Sequence, residues 1–279
     1  MTRRRLAVVG YASIDEISGP GSTGLVEAIG GGAIYAALSA ARLGVDVALH
    51  VSFGADFPAA WIERLAARGI DLSATRHVDN LTRRARLSYD SDEERQAGAD
   101  RDAAWRRATE SLRPPLPDAA EHDAVLLCPM PLDLVAQAVT FLRGRTCIVA
   151  DTSEIFAAAG PAALAAFDGV DVFAPSLEEA HRLTGEAEEE RAAAVLAARF
   201  PLVVLKRGRR GLLRLEGSAK LARPVDIVAA IDPTGAGDAT VGALATALIT
   251  ESDPLRQLEV AVEAGRLAVS AQGPAALGW

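Results

Sequence analysis

Short, mainly apolar runs recur along the chain, and segments with apolar residues at helical spacing lie between them. Residues 6–10, 45–52, 124–128, 146–150, 170–173 and 202–205 are runs of the first kind. Apolar runs of this length without polar alternation predict strands covered on both faces. Residues 33–43, 61–68, 132–142, 161–167, 176–183 and 188–199 carry the helical spacing, and the first two end at Gly44 and Gly69. A glycine just past the periodic stretch is a helix stop. Further helices are predicted at 239–250 and 255–271, and an antiparallel edge at 212–215 with 222–228. Strand alternating with helix predicts an α/β fold around a mainly parallel sheet.

The rhythm breaks between residues 73 and 117. Residues 83–89 alternate basic and apolar, as an exposed antiparallel strand does. Residues 91–107 are charged without a clear period, and Pro114, Pro115 and Pro117 close the segment. This region is expected to be a small lid that returns to the main sheet.

Composition narrows the function. The chain has 279 residues, 50% of them hydrophobic, enough for one large domain with a sizeable core. The net charge of −8 argues against a nucleic-acid-binding surface. Cys128 and Cys147 have no metal-type spacing and are expected to be reduced thiols. The histidines His50, His77, His122 and His181 show no triad or metal spacing either. The apolar run after the basic N-terminus is too short for a signal segment, and no stretch suits a membrane span, so the cytoplasm is the expected compartment.

The richest chemistry lies in Asp232, Pro233, Thr234, Gly235, Ala236, Gly237 and Asp238, which run straight into a small-residue helix. A glycine turn at a helix N-terminus aims unpaired amides at one point, and the helix dipole makes that point positive. A carboxylate beside such an anion cradle can take a proton from an attacking hydroxyl. Together they are the minimal equipment for phosphoryl transfer to an alcohol.

This seven-residue stretch closely resembles the C-terminal signature of the ribokinase-like (PfkB) family of carbohydrate and nucleoside kinases, departing only at Pro233, where threonine is commoner. The resemblance extends over nearly the whole chain. It implies one domain over residues 1–279, a three-layer α/β/α sandwich with a small β lid formed from about 15–29 and 81–92. It also implies ATP and Mg²⁺ as cofactors, and Asp238 as general base, with the amides of Gly235, Ala236 and Gly237 as anion hole.

Other residues follow from the same resemblance. Asp15, after the first strand, and Gly30 and Gly31 are expected to hold the acceptor. Tyr35 stands where sugar kinases usually carry Asn, which argues against plain ribose or fructose and leaves room for a cyclitol, a nucleoside or an unusual sugar; packing of Tyr35 in the core is the competing expectation. Lys206, Gly208, Gly211 and Asp232 are expected at the nucleotide. Glu179 is expected to reach Mg²⁺ through water, although Ser176 replaces the family's Asn and makes a capping box with Glu179. Asp151, directly after a strand, is a further candidate. A monovalent cation near 270–273 and a monomer or a homodimer paired through 83–89 complete the expectations.

One motif is rejected. Gly19 to Gly24 matches a dinucleotide fingerprint, but it neither follows a strand directly nor opens a helix. No P-loop pattern is present. Two alternatives to an ATP-dependent kinase remain: a sugar- or nucleoside-binding protein of the same family without turnover, and a kinase that uses ADP or another donor.

Overall fold

The computed structural model describes residues 3–18, 26–88, 103–226 and 228–279. The first part contains β1 (Arg5–Val9), β2 (Ser13–Ser18), β3 (Val26–Gly30), α1 (Gly32–Arg42), β4 (Asp46–His50), β5 (Ser52–Gly54) and α2 (Ala59–Ala67). Next come β6 (Ile70–Asp71), β7 (Arg76–Val78), β8 (Arg83–Ser88) and α3 (Ala103–Ser111). The alternation then resumes with β9 (Ala124–Leu127), α4 (Leu132–Leu142), β10 (Cys147–Ala150), α5 (Glu154–Ala157), β11 (Val172–Phe173), α6 (Leu177–Thr184) and α7 (Glu189–Arg199). The chain ends with β12 (Leu202–Lys206), β13 (Leu212–Glu216), β14 (Ala219–Arg223), α8 (Ala236–Thr250) and α9 (Pro254–Ala268).

A nine-stranded sheet runs in the order β14-β13-β12-β11-β10-β9-β1-β4-β6. Its strands from β12 to β6 are parallel, and β13 and β14 add an antiparallel edge. Strand order reverses at β1, with β4 and β6 on one side and β9 on the other. Such a reversal leaves a crevice beyond the strands' C-terminal ends. Tyr11 and Pro129, just past β1 and β9, line a cleft there.

Successive residues of one strand enter opposite cores. Leu6 and Val8 pack with residues of α1, α8 and α9. Ala7 and Val9 pack with residues of α4, α6 and α7. Both faces are therefore dry, which explains the unbroken apolar runs in the sequence and yields three layers, α/β/α. Helix α8 is buried from Ala239 to Ala247, and small residues let it approach α1 closely. A Cβ on Gly242 would run into the Ala36 carbonyl, and Ser39 Oγ donates to the Ala239 carbonyl at 2.8 Å.

A separate three-stranded sheet, β3-β2-β8, stands at the crevice. Here the structure corrects the sequence reading: β8 pairs with β2 in parallel, not antiparallel. The hairpin partner of β2 is β3, so β8 takes the remaining edge after a long crossover. Two more corrections concern local structure. The edge strand predicted at 222–228 lies earlier, at Ala219–Arg223, because Pro224 ends the ladder, and residues 160–167 form a 3₁₀ segment instead of an α-helix. Helix α3 and the short β5–β7 pair were not foreseen. The Gly19 to Gly24 motif and residues 89–92 of the expected lid lie outside the described residues. Among the described residues, no helix is long and apolar enough to cross a membrane.

Because α1 and α8 meet at a glycine, Gly242→Val should overpack this contact and destabilise the fold by about 1–3 kcal/mol. Urea unfolding of the variant against the parent measures it.

Candidate active site

Two clefts meet where β12 ends and α8 begins. The first, about 350 Å³, is lined by Val225, Val228, Ala230, Val262 and Val269, with Arg209 and Arg266 beside them. The second, about 490 Å³, is lined by Ser13, Asp15 and Arg83 of the small sheet and by Asp151, Glu179 and Asp238. Lys206, Gly208 and Gly237 line both. One cleft is thus mainly apolar, the other rich in carboxylates, and the residues they share form the seam between them.

The glycine turn is shaped by what it lacks. Gly235, the N-cap of α8, has φ 73°, a left-handed conformation that L side chains rarely adopt. A Cβ there would enter the Tyr35 ring, which is buried beneath the turn. Ala236 N–H is turned to the Pro233 carbonyl at 3.3 Å. Gly235 and Gly237 N–H groups have no backbone acceptor among the described residues. Asp238 follows in the first helical turn, and a Cβ on Gly32 would collide with its Oδ1. Gly30 likewise leaves room for the Asp15 carboxylate, which accepts from Ser13 Oγ at 2.6 Å.

The seam is an electrostatic cluster. Lys206 Nζ donates to both oxygens of Asp151, at 2.6 and 2.7 Å. Burial alone would favour loss of its proton, but Asp151 and Glu179 outweigh this and hold its pKa above that of ordinary lysine. Burial, reinforced by Asp151 and opposed by Lys206, pushes the Asp238 carboxyl up to about 7. Burial also pushes Glu179 up to about 7, with Lys206 opposing. The capping box read from sequence is present: Glu179 Oε2 accepts from Ser176 N–H at 2.7 Å, and Ser176 Oγ accepts from Glu179 N–H at 3.2 Å.

The structure brings most of the sequence candidates together. Asp15, Gly31, Tyr35, Glu179, Lys206, Gly208, Gly235, Gly237 and Asp238 line the second cleft, and Gly211 and Ala236 line the first. Three of the expected residues are differently engaged. Asp232 does not line either cleft: it is buried, and its two oxygens accept from the amides of Thr234, at 2.9 Å, and Gly273, at 2.7 Å. It therefore braces the loop. Gly30 does not line the cleft and makes room for Asp15. Ala236 N–H is already engaged, which leaves Gly235 and Gly237 as the open amides of the expected anion hole.

Sequence reasoning missed Arg83, Tyr11 and Trp105. The Arg83 guanidinium carbon lies 4.4 Å from the centre of the Tyr11 ring and 4.7 Å from that of Trp105. The alternation at 83–89 already placed Arg83 on one face of a strand, but nothing local said which face the cleft would use.

Over residues 4–278 the chain matches the model of the pfkB family carbohydrate kinases, and it belongs to that family. No curated protein matches it in sequence. Solved structures share the fold. One is the nucleoside kinase of Methanocaldococcus jannaschii, an archaeal member of the ribokinase family, with 18% identity, a TM-score of 0.80, and 97% of this chain and 93% of that chain covered. Burkholderia thailandensis nucleoside kinase, solved with inosine, has 20% identity and a TM-score of 0.79, covering 97% and 92%. Arabidopsis thaliana ribokinase, solved with ribose and ATP, has 20% identity and a TM-score of 0.75, covering 98% and 94%.

The buried pair at the seam has a measurable consequence. Asp151→Ala leaves Lys206 without its two-pronged partner and should cost about 3–5 kcal/mol, at the lower end because Glu179 and Asp238 also face the cation. Denaturant unfolding checks it.

Proposed function

We propose that this chain transfers the γ-phosphoryl group of ATP to a hydroxyl of a small polyol. The observation that carries the reading is the meeting of two clefts at Gly237, with Asp238 on the side of the second. The apolar first cleft takes the adenine and ribose. The second takes the acceptor, with Asp15, held by Ser13, accepting hydrogen bonds from hydroxyls that do not react. The reacting hydroxyl gives its proton to Asp238 as its oxygen attacks the γ-phosphorus in line, and the bond from that phosphorus to the bridging oxygen breaks to release ADP. The amides of Gly235 and Gly237 and the α8 dipole stabilise the charge of the phosphoryl group in transit. Lys206 adds a fixed positive charge at the same seam. The small β3-β2-β8 sheet serves as the lid that keeps water from the transfer.

Mg²⁺ fits this arrangement without a prebuilt cage. Among the described residues no group of three His, Cys, Asp or Glu side chains could hold a metal. Mg²⁺ in phosphoryl-transfer sites is usually held by one or two carboxylates plus substrate phosphates, and keeps several waters. Glu179, at the seam with one oxygen tied to the Ser176 amide, would reach it through water. When bound, the ion would supply neutralisation of phosphate charge.

The first test is an ATP-consumption screen with Mg²⁺ across sugars, cyclitols and nucleosides. For any acceptor that responds, Asp238→Asn should lower kcat by about 100- to 10,000-fold while ATP binding, followed by calorimetry, stays intact. Turnover surviving within about tenfold would remove Asp238 from the role of base. The pH profile gives an independent check. Only the ionised carboxylate accepts a proton, and its pKa is raised to about 7. The rate constant kcat/KM should therefore fall as pH drops below about 7 and level off above it.

A further inference from the structure

We infer that Tyr35 is a positioning residue for the transfer: its flat ring holds the glycine turn at the height where the Gly235 and Gly237 amides meet the phosphoryl group. The inference rests on the phosphoryl-transfer reading and adds a member to its machinery. Gly32, Tyr35, Ala36 and Ser39 recur on α1 at spacings of three and four, and so share one face. That face runs along α8. A Cβ on Gly32 would collide with Asp238, Ala36 meets Gly242, and Ser39 bonds the Ala239 carbonyl. Of the four, only Tyr35 is large, and it meets the turn that opens α8.

The contact is with the face of the ring. A Cβ built on Gly235 would lie 2.3, 2.1 and 2.4 Å from Cγ, Cδ1 and Cε1, three carbons in a row. An approach in the ring plane would leave the two outer carbons much farther away than the middle one. The Gly235 backbone therefore rests on a plane, and it comes so close because it has no side chain. Tyr35 is 1% exposed, so the ring is hemmed in on its other sides. Its hydroxyl end lies beside Gly273, 3.9 Å from where a Cβ of that residue would be. Gly273 gives its N–H to Asp232, whose other oxygen holds the Thr234 amide next to Gly235. The turn thus has a platform under Gly235 and a clamp on its stem.

The platform matters because of what the turn does. Donors for a charge that develops in transit must already stand within hydrogen-bond distance of its position. A misplacement of about 1 Å costs about 100-fold in rate. Gly235 and Gly237 flank Ala236, so a turn that sinks carries both amides with it. Asp238 lies one residue further on, in the first turn of α8, against Gly32. Loss of the ring would therefore shift the amides relative to the base. A rigid aromatic plane defines a height, whereas a flexible thioether of similar volume fills the space without defining one. Core packing needs only the volume; positioning needs the plane. The first cleft is lined without Tyr35, so a nucleotide held there does not depend on the ring.

The test uses the full chain and compares the parent with Tyr35→Phe, which keeps the plane, and Tyr35→Met, which keeps most of the volume and loses the plane. Turnover is measured with ATP, Mg²⁺ and an acceptor found by the screen. Binding is measured by calorimetry with Mg²⁺ and ADP, alone and with aluminium fluoride, a mimic of the phosphoryl group in transit. Tyr35→Met should lower kcat about 10- to 100-fold and cut the affinity that aluminium fluoride adds to ADP by the same factor, while ADP alone binds as in the parent. Tyr35→Phe should match the parent in all three. If the methionine variant does not unfold cooperatively in urea, Tyr35→Leu takes its place in the comparison. Any of five results overturns the inference: parental kcat in the folded methionine variant, an undiminished aluminium fluoride gain there, ADP affinity lost in step with kcat, a phenylalanine variant as impaired as the methionine one, or no aluminium fluoride gain in the parent. The kinase reading fails separately. If no acceptor supports ATP consumption by the parent, yet its aluminium fluoride gain depends on the plane, this inference stands and that reading falls. Turnover by the parent that the methionine variant matches does the reverse.

Discussion

One buried ammonium group holds the seam between the two clefts together. Lys206 reaches Asp151 with both hydrogen bonds, and Glu179 and Asp238 face the same cation. Three carboxylates gathered out of water repel one another and resist ionising. A single fixed positive charge lets them share the space. Each carboxylate is also aimed by backbone: Asp151 follows the end of β10, and Glu179 and Asp238 sit in the first turns of α6 and α8, where helix dipoles favour anions. The seam thus follows from the ends of secondary-structure elements converging on one point.

That convergence is a property of the sheet. Order reverses at β1, so connections leave the two sides of the crevice in opposite directions and leave its mouth open. The small sheet then supplies a wall that the main sheet cannot. Many relatives share the fold, and the fold by itself does not choose a substrate. That choice belongs to the side chains lining the clefts, Tyr35 under the glycine turn among them.

Much of this was legible in the sequence, for identifiable reasons. Strands covered on both faces leave unbroken apolar runs, so β1, β9, β10 and β12 could be read directly. Ser176 and Glu179 announced a capping box by spacing alone, and the glycine turn before Asp238 carries its conformational demand in its composition. What stayed hidden depends on partners distant in sequence. The direction of β8 is set by which edge of β2 remains after β3 has paired, and no local pattern encodes that. Asp232 sits in a motif that reads as a ligand site, yet its carboxylate closes on an amide 41 residues further along. Trp105 lies in a charged stretch with no clear period, and its place against Arg83 appears only once α3 has folded onto the small sheet.

The tie between Asp232 and Gly273 has a consequence for how the protein comes into being. Gly273 also lies close to Tyr35 and Ala28, and the Trp279 ring meets Trp61 edge-on at 6.4 Å. Early and late parts of the chain thus close around one another. A chain emerging from the ribosome can assemble β1, α1 and β4 long before its glycine turn has a brace. The cleft can mature only after Gly273 has cleared the exit tunnel, so a nascent protein holds its walls before it holds its chemistry.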